Sequence, residues 1–206
     1  MLDLTKPFLT EGDKLICFGD SLTAQENSYV THLSSALPKN TVVNAGLGGD
    51  KTPAALLRMD RDVFAQRPDA VLIMLGANDA AVGRERWADE PMISAEAYRC
   101  NLVWMAHLCR LHGIEKISIA TPFGFEGPSF LAHGERIPAF ALAARDAADE
   151  MKLPLVPLDH LFYKLRGGTP ITELAVTRDG THPTPRTQQA IARIMLETWN
   201  LIPGKN

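Results

Sequence analysis

Five short apolar runs, at 15–18, 42–44, 70–75, 117–120 and 155–158, recur along the chain with helical patterns between them. The run Ala70-Val71-Leu72-Ile73-Met74-Leu75 is apolar at every position rather than at every second one. That is the pattern of a strand covered by helices on both faces, as in a parallel sheet. Parallel strands need long crossover connections, and periodicity predicts helices at about 28–37, 54–66, 95–112, 137–151 and 185–199 to supply them. The best-marked helix opens with Ser94 as N-cap ahead of Ala95-Glu96-Ala97 and stops at Gly113. The fold class is therefore α/β, built from βαβ units with the sheet buried on both sides.

With 206 residues, 46% of them hydrophobic, the chain can bury a full core, and no repeat, low-complexity tract or linker divides it. One domain over 1–206 is the expectation. A formal net charge of -3 gives no basic footprint, which argues against a nucleic-acid partner. No apolar run is long enough to span a membrane. Three cysteines are too few and of the wrong parity for a disulfide framework, and Cys100 and Cys109 fall on opposite faces of one predicted helix. The opening Met1-Leu2-Asp3-Leu4-Thr5-Lys6-Pro7 lacks the basic and apolar regions of a secretory signal. The expected location is cytoplasmic, with secretion left open to a chain whose leader has been removed. An amphipathic helix reads alike whether it faces a core or a second subunit, so no oligomeric state is predicted.

Ligands of open α/β sheets bind beyond the carboxyl ends of the strands, and four such places carry polar groups. The first run stops at Gly19-Asp20-Ser21-Leu22, which delivers a hydroxyl to a strand end. Serine is also a common cap and turn residue, so its neighbours decide its meaning. After the second run comes Asn44-Ala45-Gly46-Leu47-Gly48-Gly49-Asp50, a turn whose glycines let backbone approach a ligand. After the third comes Gly76-Ala77-Asn78-Asp79, in which Asn78 offers an amide donor. Ahead of the last helix lies Arg178-Asp179-Gly180-Thr181-His182-Pro183. There Asp179 can hold one ring nitrogen of His182 while the other faces a nucleophile. His32, His107 and His112 lie on predicted helices, and they and His133 and His160 have no such context.

These four blocks, in this order and across most of the chain, resemble the GDSL or SGNH hydrolase superfamily. Gly19-Asp20-Ser21-Leu22 matches the nucleophile block, Gly49 the glycine block, Gly76-Ala77-Asn78-Asp79 the asparagine block and Asp179-Gly180-Thr181-His182 the Asp-x-x-His block. The resemblance implies a flavodoxin-like three-layer α/β/α sandwich with a five-stranded parallel sheet ordered 2-1-3-4-5. It also implies ester hydrolysis through an acyl-enzyme, with Ser21 as nucleophile, His182 as base and Asp179 holding the histidine. The oxyanion would be held by the backbone N–H groups of Ser21 and Gly49 and by the Asn78 amide. No cofactor and no metal are implied, and the partner is a small-molecule ester. Two places depart from the commonest family pattern: Lys51 after Asp50, and Thr184-Pro185-Arg186-Thr187-Gln188 after the His-Pro step.

Asp20, Asp50 and Asp79 have no direct part in that scheme and are expected to hydrogen-bond loop backbone. The aromatic loop after the fourth run, with Phe123 and Phe125, and Trp87 beyond Asn78 are candidates for the substrate pocket; packing onto the domain is their other reading. Short connections leave little room for a lipid tunnel, which favours short acyl or acetyl esters over lysophospholipid or acyl-thioester substrates. Two rival readings are a metal-dependent phosphoesterase using the strand-end carboxylates and a flavodoxin-like module cradling a phosphate in the glycine turn. The first leaves Ser21 idle and has one histidine; the second lacks a P-loop or G-x-G-x-x-G pattern.

Overall fold

The structure, a computed structural model, describes residues 6–83 and 91–202. Its sheet has five parallel strands, β1 (Lys14–Gly19), β2 (Thr41–Gly46), β3 (Ala70–Met74), β4 (Lys116–Ala120) and β5 (Leu155–Val156), in the order β2-β1-β3-β4-β5. Every strand falls on one of the apolar runs, and the order is the one the family resemblance implies. The helices are α1 (Ser21–Ala24), α2 (Tyr29–Ala36), α3 (Thr52–Asp62), α4 (Ala95–Leu111), α5 (Leu131–Gly134), α6 (Ile137–Met151), α7 (Leu158–Arg166) and α8 (Pro185–Thr198).

The chain winds outward in both directions from β1. Its step to β2 goes one way and the steps from β3 through β5 go the other, so right-handed crossovers place α2 on one face and α4 and α6 on the opposite one. Contacts between α2 and α8, and between α4 and α6, complete the two helical layers. Leu15 through Phe18 in β1 and Ala70 through Ile73 in β3 are wholly buried between them. The edge strand β2 differs: Thr41 and Asn44 are exposed and Val42 and Val43 half-buried, so the sheet is covered on both sides only at its centre.

Two local expectations are corrected. The 155–158 run is one strand residue pair followed by a helix: Pro157 has no N–H to continue a ladder, and Leu158 opens α7, whose Leu158 and Phe162 face the core. The helix expected to reach residue 66 ends at Asp62, and a 3-10 turn at Phe64–Gln66 stops at Arg67 in the left-handed region. The α4 caps follow the sequence: Ser94 Oγ accepts from Ala97 N–H at 3.0 Å, and Gly113 has φ +77°.

Register brings the strand ends together. Gly19 lies opposite both Gly46 and Met74, so β1, β2 and β3 end at one level and their loops open into one crevice. The two glycines let α1 lie across these ends. A Cβ on Gly19 would meet Thr23 Oγ1 at 2.1 Å and the Met74 carbonyl at 2.6 Å, and one on Gly46 would meet Ala24 N at 2.3 Å.

Candidate active site

Ser21 is the first residue of α1, where the carboxylate of Asp20 accepts from Leu22 N–H at 2.9 Å and caps the turn. From the far end of the chain, the loop ahead of α8 brings in Asp179 and His182. One Asp179 oxygen accepts from the backbone N–H groups of His182 (2.8 Å) and Thr181 (3.1 Å), and the other lies 2.8 Å from His182 Nδ1. A carboxylate can only accept, so the proton sits on Nδ1 and Nε2 is left as an acceptor. Nε2 lies 3.1 Å from Ser21 Oγ. Burial pushes the Asp179 carboxyl up, but hydrogen bonds from the backbone and ring of His182 and from Thr181 outweigh it and hold the group below its ordinary value. An ionised Asp179 behind the ring is what an imidazole needs in order to accept a proton from a serine.

Gly49 and Asn78 enter from the loops after β2 and β3. Gly49 has φ +80°, a conformation that favours glycine. The Asn78 amide donates to the carbonyl of Asp50 at 3.0 Å, which ties the asparagine loop to the glycine loop. Behind Asn78, Asp79 accepts from the Thr52 hydroxyl (2.5 Å) and the Thr52 N–H (3.0 Å), anchoring the start of α3. Burial lifts the Asp79 carboxyl to about 6 against those hydrogen bonds. Burial, with added repulsion from Asp79 and Asp50, lifts that of Asp20 to about 7. Asp20 bonds loop backbone as expected; Asp50 instead pairs with a guanidinium.

That guanidinium belongs to Arg58, a residue that no sequence motif singles out. Buried on α3, it donates to Asp50 Oδ2 (2.6 Å), the Ala45 carbonyl (2.9 Å), the Gly19 carbonyl (2.8 Å) and Asp62 (2.9 Å), and it lies 4.1 Å above the Phe18 ring. Its position among Thr52, Ala55 and Met59 on the buried stripe of α3 was the available signal. Arg136, ahead of α6, donates to the carbonyls of Ala80 (3.1 Å), Ala81 (3.0 Å) and Ile93 (2.5 Å) and so closes the loop that follows Asn78.

Two of the three aromatic candidates for a substrate pocket, Phe123 and Phe125, are packed into the interior. Phe123 is in the core, edge-on to Phe162 of α7 at 5.1 Å, and Phe125 is buried between Phe130 and His133. Phe162 sits on the helix that periodicity did not predict, so the partner that covers Phe123 was invisible. Phe125 edges a cavity of about 440 Å³ with Leu131, Ile137 and Tyr163, which includes none of Ser21, Asp179 and His182. Trp87 lies outside the described residues. A second cavity, of about 400 Å³, adjoins Gly49 and Lys51 and is walled by Pro53, Ala54, Pro91 and Ile93. Lys51, the first departure from the family pattern, thus borders this cavity beside Gly49. The second departure is helix-start chemistry: Thr184 Oγ1 caps α8 by accepting from Thr187 N–H, with Pro185 following it. Among the described residues no group of three His, Cys, Asp or Glu side chains is arranged to hold a metal ion.

Comparison with known proteins agrees with this architecture. The chain is 30% identical to the uncharacterized lipoprotein YqeF of Bacillus subtilis (strain 168), covering 84% of each protein. It is 26% identical to an acetylxylan esterase of Geobacillus stearothermophilus, over 90% of this chain and 93% of that one. The crystal structure of LAE5, an alpha/beta hydrolase enzyme from the metagenome of Lake Arreo, superposes with a TM-score of 0.82 at 23% identity, covering 97% of this chain and 100% of that one. Residues 17–190 match the model of the GDSL-like lipase/acylhydrolase family, and the chain belongs to that family of ester-hydrolysing enzymes.

Proposed function

We propose that the protein hydrolyses carboxylic esters of short acyl groups, acetyl above all, with Ser21 as nucleophile, His182 as general base and Asp179 as the group that orients it. The observation that carries this reading is the unbroken relay from Ser21 Oγ through the His182 ring to Asp179, with links of 3.1 and 2.8 Å. In the first step Ser21 Oγ attacks the acyl carbon while its proton passes to Nε2, and the tetrahedral intermediate collapses as that proton goes to the departing alcohol. Water then attacks the acyl-enzyme by the same route and frees the acid. The developing oxyanion is held by the N–H groups of Ser21 and Gly49 and by the hydrogen of the Asn78 amide that Asp50 does not take.

The short acyl preference draws on the modest cavity beside Gly49 and on the acetylxylan esterase among the relatives. A fluorophosphonate probe tests the nucleophile: it should label the intact protein at Ser21 and fail to label Ser21→Ala. A panel of p-nitrophenyl esters from acetyl to palmitoyl, with an acyl-CoA, tests the substrate. The expected rate falls steeply beyond the shortest acyl groups; a maximum at long chains or on the thioester would replace this substrate assignment.

A further inference from the structure

Glu126 lies in the loop after β4, well away in sequence from every block of the site, yet it is almost fully buried. One of its oxygens accepts from three consecutive backbone N–H groups, those of Ala175 (3.0 Å), Val176 (2.9 Å) and Thr177 (2.6 Å), and from the Thr177 hydroxyl (2.6 Å). The other pairs with the buried guanidinium of Arg166, at the end of α7. Arg166 in turn donates to the carbonyls of Glu173 (3.1 Å), Thr169 (2.9 Å) and Pro170. The loop that leads to Asp179 and His182 is therefore gathered around one ion pair.

The attachment extends to the Asp179 turn itself. Because the Thr177 proton is given to Glu126, the hydroxyl oxygen is free to accept, and it accepts from Gly180 N–H at 3.0 Å. The backbone of Glu126 makes a second tie, its N–H donating to the Gly180 carbonyl at 3.0 Å. Gly180 is thus held on both its amide groups, between Asp179 and His182, and its φ of +95° turns the chain there. The turn also closes on itself, with Arg178 N–H donating to the His182 carbonyl at 2.8 Å, and on the solvent side Arg178 and Asp179 are exposed.

We propose that Glu126, acting through Thr177, is a positioning residue that sets the Asp179–His182 turn against Ser21. A carboxylate suits this task because four donors converge on one of its oxygens, and a buried carboxylate with that many partners and a guanidinium has one arrangement available. A misplacement of the imidazole on the order of 1 Å can cost about 100-fold in rate. This inference rests on the triad reading of Ser21, Asp179 and His182.

The experiment compares Glu126→Gln and Thr177→Val with the parent protein, each alone and combined with His182→Ala, using p-nitrophenyl acetate. Thr177→Val leaves the Glu126–Arg166 pair in place and so guards against loss of the fold, which urea unfolding at the assay temperature checks. We expect each single change to lower kcat by about 10- to 100-fold while KM moves less than about twofold. In the His182→Ala background the same changes should cost less than about twofold, since the residue they position is gone. If folded Thr177→Val and Glu126→Gln keep kcat within about twofold of the parent, or lose as much in the His182→Ala background, the inference is wrong. A fully active His182→Ala protein would overturn the triad reading instead, and with it this one.

Discussion

Arg58 donates to the carbonyl of Gly19 at 2.8 Å, so the end of the strand that delivers Ser21 is held by a side chain from the helix after the glycine loop. The same guanidinium takes the Asp50 carboxylate at 2.6 Å, and both groups are buried. A buried ion pair contributes less than its contacts suggest, but removing one partner strands the other in a dry site. Arg58→Ala should therefore lower the unfolding free energy by about 3–5 kcal/mol, read from denaturant midpoints at constant slope. Arg58→Lys should recover only part of this, because an ammonium lacks the planar fork that reaches Asp50, Ala45 and Gly19 together. Equal stability of the lysine variant and the parent would mean that charge, and not the fork, is what the site requires.

Asn78 is buried, and its amide has one hydrogen committed to the Asp50 carbonyl. Under the proposed mechanism the other meets the oxyanion only as the tetrahedral intermediate forms. Asn78→Ala should then lower kcat by about 100- to 1,000-fold with a much smaller change in KM, measured on p-nitrophenyl acetate. A parental kcat in the folded variant would remove Asn78 from the oxyanion site.

Gly46 faces the backbone of α1, and a Cβ there would stand 2.3 Å from Ala24 N, an atom that cannot swing aside. Gly46→Ala should cost about 1–3 kcal/mol of stability through overpacking and should slow turnover, since α1 must shift and Ser21 rides on it. Gly48 is the matched control, with nothing within 4 Å of its added Cβ. Its alanine variant should stay within about 0.5 kcal/mol of the parent. A shared loss in both variants would point to turn flexibility in place of the α1 contact.

The strands and the residues that gather at their ends were legible because period and motif are local. A doubly covered strand announces itself by an apolar run, and parallel register then brings the loops that carry Ser21, Gly49 and Asn78 out at one level; His182 was legible only through its Asp-x-x-His motif. What could not be read were the partners supplied by distant chain. Phe123 looks like a pocket residue until Phe162 of α7 covers it, and Phe125 until Phe130 and His133 do; α7 was hidden because its first turn continues the apolar run of β5. Arg58, on an amphipathic helix, and Arg136, just ahead of one, are charged residues whose ordinary destination is solvent. Their burial depends on carbonyl groups left unpaired at strand ends and loop turns, and those appear only once the sheet is assembled.

Asp20 sits beside the proposed nucleophile with its carboxyl lifted by burial, and by repulsion from Asp79 and Asp50, to about 7 from an ordinary 3.8; Asp79, lifted by burial, reaches about 6. A folded-state value above the unfolded one means that the native protein binds more protons than the unfolded chain between the two. The stability these groups contribute is complete below 3.8 and is lost as pH rises through 6 and then 7. Asp20→Asn keeps an oxygen to accept from Leu22 N–H but has no proton to give up. The parent should therefore lose stability between about pH 4 and pH 7, and Asp20→Asn should lose distinctly less over the same interval. Urea unfolding across that range provides the measurement. Parallel curves for the two proteins would show that the Asp20 carboxyl is not the group being titrated, and would return the burden of the slope to Asp79.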